Sequence, residues 1–419
     1  MKLLTGILFA GCVFPAFAAA VLTPPDLPAT VPARAWIEQD PSVQGARSAL
    51  AAARHTAAML TASPNEWVTR IAAQRRSYGT GGGGPDSKEW NVQVERPFRI
   101  NGKAELDRQL GEMELRLAEH RVGEAIHESA LSLMDLWVEG LATVQLEKLF
   151  NEQRSFSQTN LKAVDTRRRA GDASLLDFNV ASADHADVER QASMAVSNAA
   201  KARAKLRVRF PGAQLPVTGS GSVAMADPVP VLDTESSWAQ RILEAADPLR
   251  ISEAQLQKTE LTASRASADR IPNPTVGVFA SSEAFRNERI VGLSVSIPFG
   301  GTYRNERALE TLREVDIARS AVDRQRRDLE SGVAETYADA KGNFTRWNLS
   351  EQGATAAAES ARLTQRAYSL GEADLQGLLI ARRQFLEVTR AAQEARVAAL
   401  KANYRLLIDA HLIWDLALD

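Results

Sequence analysis

The residues best placed to do chemistry in this sequence lie in two matching stretches, Arg169-Ala-Gly-Asp-Ala-Ser-Leu-Leu-Asp177 and Ser369-Leu-Gly-Glu-Ala-Asp-Leu-Gln-Gly377. Each sets a glycine beside carboxylates: Asp172 and Asp177 in the first, Glu372 and Asp374 in the second. Such acids either collect cations or cap helices. Little else invites a reaction. The five histidines, His55, His120, His127, His185 and His411, form no cluster at metal-ligand spacing. His120 and His127 share one predicted helix face with Glu124 and Glu128, the pattern of a weak metal site or of a solvated face. The glycines Gly81–Gly84 have neither lysine nor helix to hold phosphate, and no Ser, His and Asp fall together beyond chance. No enzyme activity, cofactor or resident metal is expected.

Both acidic stretches interrupt very long helical patterns. A lone glycine between such runs is the usual left-handed stop, and the Asp-Ala-Ser or Glu-Ala-Asp after it can cap the next helix. Asp172 and Glu372 read equally well as such caps. The basic run Arg167-Arg168-Arg169 suits a helix C-terminus, where cations are favoured, or a contact with a partner. Each stretch is thus the tip of a helical hairpin. Gly171 and Gly371 lie 200 positions apart, and the pairs Pro97-Phe98 and Pro298-Phe299 lie 201 apart. An internal duplication follows.

The elements around the tips repeat in order. In the first copy, 36–210, a short helix from Trp36 to about Ala62 precedes strands over 66–77 and 89–98. There follow a long helix over 102–168, the tip at 169–174 and a return helix over 175–209. A linker covers 211–235. The second copy, 236–412, has a helix over Ser237–Asp269, strands over 275–284 and 289–298, a long helix over 303–369, a tip at 370–374 and a return helix over 375–412. A tail, 413–419, closes the chain. Before the first copy, four prolines in 19–35 predict an extended arm. The predicted class is mainly α with a small β part.

The 419 residues carry a formal charge of −2, with 24% charged and 45% hydrophobic side chains. No global basic field marks a nucleic-acid binder. Met1-Lys-Leu-Leu, an apolar run and Ala16-Phe-Ala18 form a secretory signal, 1–18, cut after Ala18. The sole cysteine, Cys12, falls inside it; the rival reading makes Ala10-Gly11-Cys12 a lipoprotein box. No later run is apolar enough for a transmembrane helix, so any membrane passage must use strands.

Four strands per chain leave edges that invite pairing with other chains. Closed with sister chains, they would make a barrel whose inward row is Asn91, Gln93, Glu95, Gly292, Ser294 and Ser296. A small sheet in a soluble domain is the alternative.

Signal segment, duplicated plan, strands ending in Pro-Phe and Gly-acid-x-polar-Leu tips together resemble the TolC family of outer-membrane efflux proteins over essentially the whole mature chain. The general look is nearest the heavy-metal branch typified by CzcC. The resemblance implies a homotrimer with a twelve-stranded barrel in outer-membrane lipid and a trimeric α-helical barrel in the periplasm of a Gram-negative bacterium. It implies docking on a periplasmic adaptor and an inner-membrane pump of the RND type, without nucleic acid. The docking residues it points to are Arg169, Gly171, Asp172, Leu175, Leu370, Gly371, Glu372 and Leu375. Its pore-constriction candidates are Asp177 and Asp374. Acids common six and nine residues after the second glycine are replaced here by Gly377 and Ile380, so the constriction would rest elsewhere. The implied cargo is heavy-metal cations, with drug efflux or type I secretion as alternatives. A soluble periplasmic coiled-coil scaffold is the reading from another class.

Overall fold

A computed structural model describes residues 24–79, 84–215 and 225–416. The predicted signal segment with Cys12, the loop residues 80–83, part of the linker and the last three residues lie outside the described residues.

Helices α1 (Thr30–Glu38) and α2 (Pro41–Ala62) lead into β1 (Val68–Ser77) and β2 (Asp86–Pro97). The long α3 (Lys103–Arg169) and return α4 (Leu175–Arg209) follow. The plan then recurs as α5 (Glu235–Ala245), α6 (Asp247–Ala268), β3 (Thr275–Glu283), β4 (Glu288–Ser296), α7 (Thr302–Leu370) and α8 (Leu375–Asp409). α3 and α7 run for 67 and 69 residues and both return helices for 35. At ~1.5 Å per residue the long helices reach about 100 Å.

Three expectations need correction. The short helix of each copy is two helices, not one. In the first copy the break falls at Asp40-Pro41, with Asp40 as the cap; in the second it falls at Ala246, and Asp247-Pro248 open α6. Proline disfavours helix in the residue before it and opens a new helix without loss, since its missing N–H would be unpaired there anyway. Asp40 completes its break by accepting from Ser42 N at 2.8 Å. Second, the described part of the arm is not extended throughout: Leu27 N donates to Pro24 O at 3.1 Å in a turn, and α1 starts at Thr30 and holds Pro32 in its first turn, where proline is tolerated. Third, α8 stops at Asp409 rather than 412, and the chain turns sharply through His411, Trp414 and Asp415, all at positive φ.

That turn and the arm close the principal core. Trp414, Ile413 and Leu416 pack with Ile37, Leu133, Trp137, Phe210 and Tyr404. The buried Asp26 ties these pieces together. It accepts from the Tyr404 hydroxyl at 2.6 Å and from Ala226 N at 3.1 Å, while its carbonyl takes the Trp137 indole N–H at 2.8 Å. A buried carboxylate is tolerated when its lone pairs are filled in this way. The described ends of the linker, Leu215 and Met225, lie in the same core.

The four strands form one antiparallel sheet in chain order. Its register sorts the side chains cleanly. One face carries Ile71, Val92, Ala280 and Val291 in a row, and Thr69, Val94, Val278 and Leu293 in the next. The other carries Arg70, Gln93 and Phe279 beside Gly292, then Glu95, Gly277 and Ser294. All six residues expected as one row, Ser296 included, fall on this polar face.

Candidate functional site at the helical tips and the sheet

Both tips are built the same way. Gly171 and Gly371 adopt φ of 86° and 79°. Asp172 N donates to Arg167 O and Gly171 N to Arg168 O; Glu372 N and Gly371 N do likewise to Ala367 O and Tyr368 O. This paired closure satisfies the last carbonyls of each long helix. Nothing lies within 4 Å of a Cβ built on either glycine, so the backbone conformation alone requires glycine.

The caps of the return helices are not Asp172 and Glu372. At the first tip Ser174 is the cap, accepting from Asp177 N at 3.0 Å, and Asp177 answers by accepting from Ser174 N at 2.9 Å. This reciprocal box holds the half-buried Asp177 carboxyl below its ordinary range, first through the Ser174 backbone N–H and then through its hydroxyl. At the second tip Asp374 caps, accepting from Gly377 N at 2.7 Å. A Cβ at Gly377 would stand 2.9 Å from the Asp374 carboxylate, so the glycine leaves room for the cap. The side chains of Asp172 and Glu372 have no partner among the described residues and remain exposed.

The two hairpins meet behind the tips. Val164, Ala181, Leu375 and Leu379 form a small core with Leu161, Phe178 and Tyr368 around it. Leu375, expected as a docking residue, is therefore interior, 7% exposed. Its counterpart Leu175 is 64% exposed, and Leu176, Leu370 and Ile380 are exposed as well. Arg169 pairs with Asp165 at 2.6 Å and stays open to solvent. Arg167 lies over the Tyr368 ring and donates to its hydroxyl at 3.3 Å, linking α3 to α7. Arg382 of α8 stacks on Phe156 of α3 at 3.8 Å.

At the other end of the helices the polar face of the sheet is a hydrogen-bonded network. Glu95 pairs with Arg70 at 2.9 Å, and Gln93 donates to Glu95 at 2.8 Å and to Ser294 at 3.2 Å. The opposite face exposes hydrocarbon along its middle rows: Val291 is 84% and Leu293 78% exposed.

The histidines gather in a way their spacing hides. His127 bonds Asp409 at 3.0 Å and lies 5.8 Å from the His411 ring, while His120 faces Asp247 at 3.4 Å. Burial opposes the charge on His127, but the Asp409 hydrogen bond and the charges of Asp409, Glu124 and Asp247 outweigh it and push the imidazole up. Burial and the neighbouring His127 push His411 down to about 4. Burial raises Glu124 and Asp247. Among the described residues no three His, Cys, Asp or Glu side chains converge to hold a metal ion.

Long capped hairpins under a sheet with one polar and one apolar face define a class of fold, and solved structures of that class align with the chain. The outer membrane protein VceC from Vibrio cholerae is 15% identical, with 90% of this chain and 95% of that one covered and a TM-score of 0.71. The open state of the Neisseria gonorrhoeae MtrE outer membrane channel is 16% identical, with 96% and 94% covered and a TM-score of 0.66. CusC, described as forming a transmembrane channel, is 13% identical, with 90% and 91% covered and a TM-score of 0.66. The chain thus has the fold of outer-membrane channels. No family model and no curated protein matches its sequence.

Proposed function

We propose that the chain is one protomer of a homotrimeric outer-membrane efflux channel of the TolC family, a passive conduit with no chemistry of its own. The observation that carries this reading is how the two copies join. Within the chain, β2 pairs with β3, and α6 packs against both α3 and α7. The equivalent joint on the other side, β4 to β1 and α2 to α7, needs another chain. β1 and β4 are the sheet edges, and α2 buries only Val43. Closure by three chains gives twelve strands, enough for a water-filled lumen, with the Arg70, Gln93 and Glu95 face inward and the Val291 and Leu293 face in lipid.

In this reading the tips are the periplasmic end. The surface of Leu175, Leu176, Leu370, Arg169, Asp172 and Glu372 receives a periplasmic adaptor, which links the conduit to an inner-membrane pump of the RND type. Gly171 and Gly371 shape that surface, and Asp177 and Asp374 ring the pore mouth. Rings of carboxylates favour cations, which supports heavy-metal ions as cargo over drugs or secreted proteins. The exposed hydrocarbon of β4 speaks against a soluble scaffold.

The direct test is purification from outer-membrane detergent extracts and reconstitution in planar bilayers. A trimer with stable conductance supports the conduit; a freely soluble periplasmic monomer contradicts it. Asp177→Asn keeps an acceptor for Ser174 while removing the charge, and cation selectivity is expected to fall. Unchanged selectivity puts the constriction elsewhere. For cargo, a deletion strain is expected to become sensitive to zinc, cobalt, cadmium or copper salts, and unaltered resistance to all four removes the metal assignment.

A further inference from the structure

The apolar face of the sheet is not uniform along the strands. Above the Ile71, Val92, Ala280 and Val291 row comes a mixed row of Ala73, Trp90, Ser282 and Arg289. One step further toward the hairpin turns, Arg75 pairs across the strands with Lys88. By the same alternation these three cations, Arg75, Lys88 and Arg289, lie on the hydrocarbon face and not on the Glu95 face. All three are exposed.

Their charges are only partly answered. Asp86 on the same face bonds Arg75. Lys88 and Arg289 have no ion pair among the described residues. The acids Glu89, Glu283 and Glu288 belong to the opposite face, where Arg76 pairs with the first two. The adjoining loop residues 80–83 are Thr-Gly-Gly-Gly and bring no charge. With strands ~4.8 Å apart and ~3.4 Å per residue, Lys88 and Arg289 stand about 12 Å apart. That is the spacing of two phosphates on one disaccharide headgroup rather than of one free anion.

One aromatic ring lies beside the cations. Trp90, 45% exposed, sits two residues below Lys88 on the same face. Tyr78 and Phe285 stack at 5.4 Å at the hairpin ends over the opposite face, that of Ser87 and Glu89. Phe285 is held there by three consecutive left-handed residues, Ala284, Phe285 and Arg286. Such a backbone is costly for residues with a Cβ and is pinned by bonds from Phe285 N to Ser87 and Ala284 N to Glu89. Tryptophan marks the level where acyl chains meet headgroups, so the cations above Trp90 stand at headgroup height.

We infer that Arg75, Lys88 and Arg289 bind the phosphorylated sugar headgroup of an outer-leaflet glycolipid, holding a ring of such lipids around the barrel. This deepens the outer-membrane reading and rests on it. The hydrocarbon rows take the acyl chains, Trp90 lies at the sugar, and the cations meet its phosphates in charge-assisted hydrogen bonds. Repeated by the threefold, the site would occur once per protomer.

The test uses the full-length protein in detergent, titrated with diphosphorylated lipid A and with the same lipid after removal of both phosphates. Binding is read by native mass spectrometry. The diphosphorylated lipid is expected to bind roughly tenfold or more tighter, by the strength of surface lysine and arginine toward anionic lipid. Arg75→Gln, Lys88→Gln and Arg289→Gln together should erase that preference while retaining dephosphorylated lipid. Equal binding of the two lipids, or a preference undiminished in the triple variant, overturns the proposal. Bilayer conductance of the same preparations separates the two levels. Channels without phosphate preference refute this inference alone; protein that neither inserts nor conducts refutes the membrane reading beneath it.

Discussion

The two long helices are copies of one element, yet they live in different surroundings. α3 is buried at intervals along its whole length, from Lys103 to Val164, because α2, α4, α6 and α8 surround it. α7 has nearly the same length but buries only seven residues, Ala308, Thr311, Val315, Val333, Ala340, Ala354 and Ala361. Leu309, Leu312, Ile317, Leu349 and Leu363 stand more than half exposed. A duplicated sequence does not tolerate such a stripe of hydrocarbon without cause. α3 already has the neighbours that α7 lacks. The asymmetry is that of an unfinished ring, in which the first copy of the next chain completes the second copy of this one.

That contrast can be broken by paired substitutions. The largest effect is expected from Leu133→Ala on α3, fully buried in the main core, which should cost about 2–5 kcal/mol of chain stability. Ile317→Asp on α7, 70% exposed, should change chain stability by no more than about 0.5 kcal/mol while abolishing the trimer. Denaturant titration with light scattering reads both. If Ile317→Asp leaves the trimer intact, α7 does not face a neighbour.

On the sheet, Leu293→Arg is expected to cost about 2–4 kcal/mol in folding into bilayers, the penalty of a charge at mid-membrane depth on the lipid side. A wild-type yield of inserted protein would mean that β4 presents this face to water. Smaller again, Gly171→Ala and Gly371→Ala should each cost about 1–2 kcal/mol, measured as a lowered Tm. Equal losses are expected because both glycines have open space and similar φ.

The subtlest effect concerns pH. His411 resists protonation when folded, until about pH 4, whereas an unfolded histidine takes its proton near 6.5. Its contribution to stability is therefore present above about 6.5 and lost as pH falls toward 4. His127, raised instead, contributes below about 6.5 and loses that contribution as pH climbs through its folded value. His411→Gln should flatten the acid limb of a Tm profile relative to wild type. An unaltered limb would show that His411 is not buried against His127.

Much of this was legible in one sequence because the relevant signals are local or repeated. Gly171 and Gly371 announce the tips by chain conformation alone, and the strand alternation from Thr69 to Leu293 fixes which side chains share a face. What escaped notice has a common physical origin. The breaks at Asp40 and Ala246 interrupt segments of helical periodicity for two residues and one, too short to show in the pattern. Asp26 looked like part of a loose proline-rich arm, since its partners Trp137, Ala226 and Tyr404 lie far along the chain. The meeting of His127 with Asp409 spans 282 positions and depends on α8 returning to the middle of the molecule. Leu175 and Leu375 occupy matching places in matching tips, yet only Leu375 is covered, by packing between the hairpins that neither stretch reveals by itself.

The unfinished ring is most directly tested by joining its ends. With Cys12→Ser in place, Ala73→Cys on β1 and Leu293→Cys on β4 put one thiol on each sheet edge, at positions that repeating the Val94–Val278 pairing sets opposite each other between chains. Within a chain these strands stand three spacings apart, about 14 Å, beyond a bismaleimide of about 8 Å. Treatment of membranes with that reagent should yield a covalent species of three chains and nothing larger. A product that stays monomeric, or a ladder that continues past three, would contradict closure by threefold repetition of the joint seen between β2 and β3.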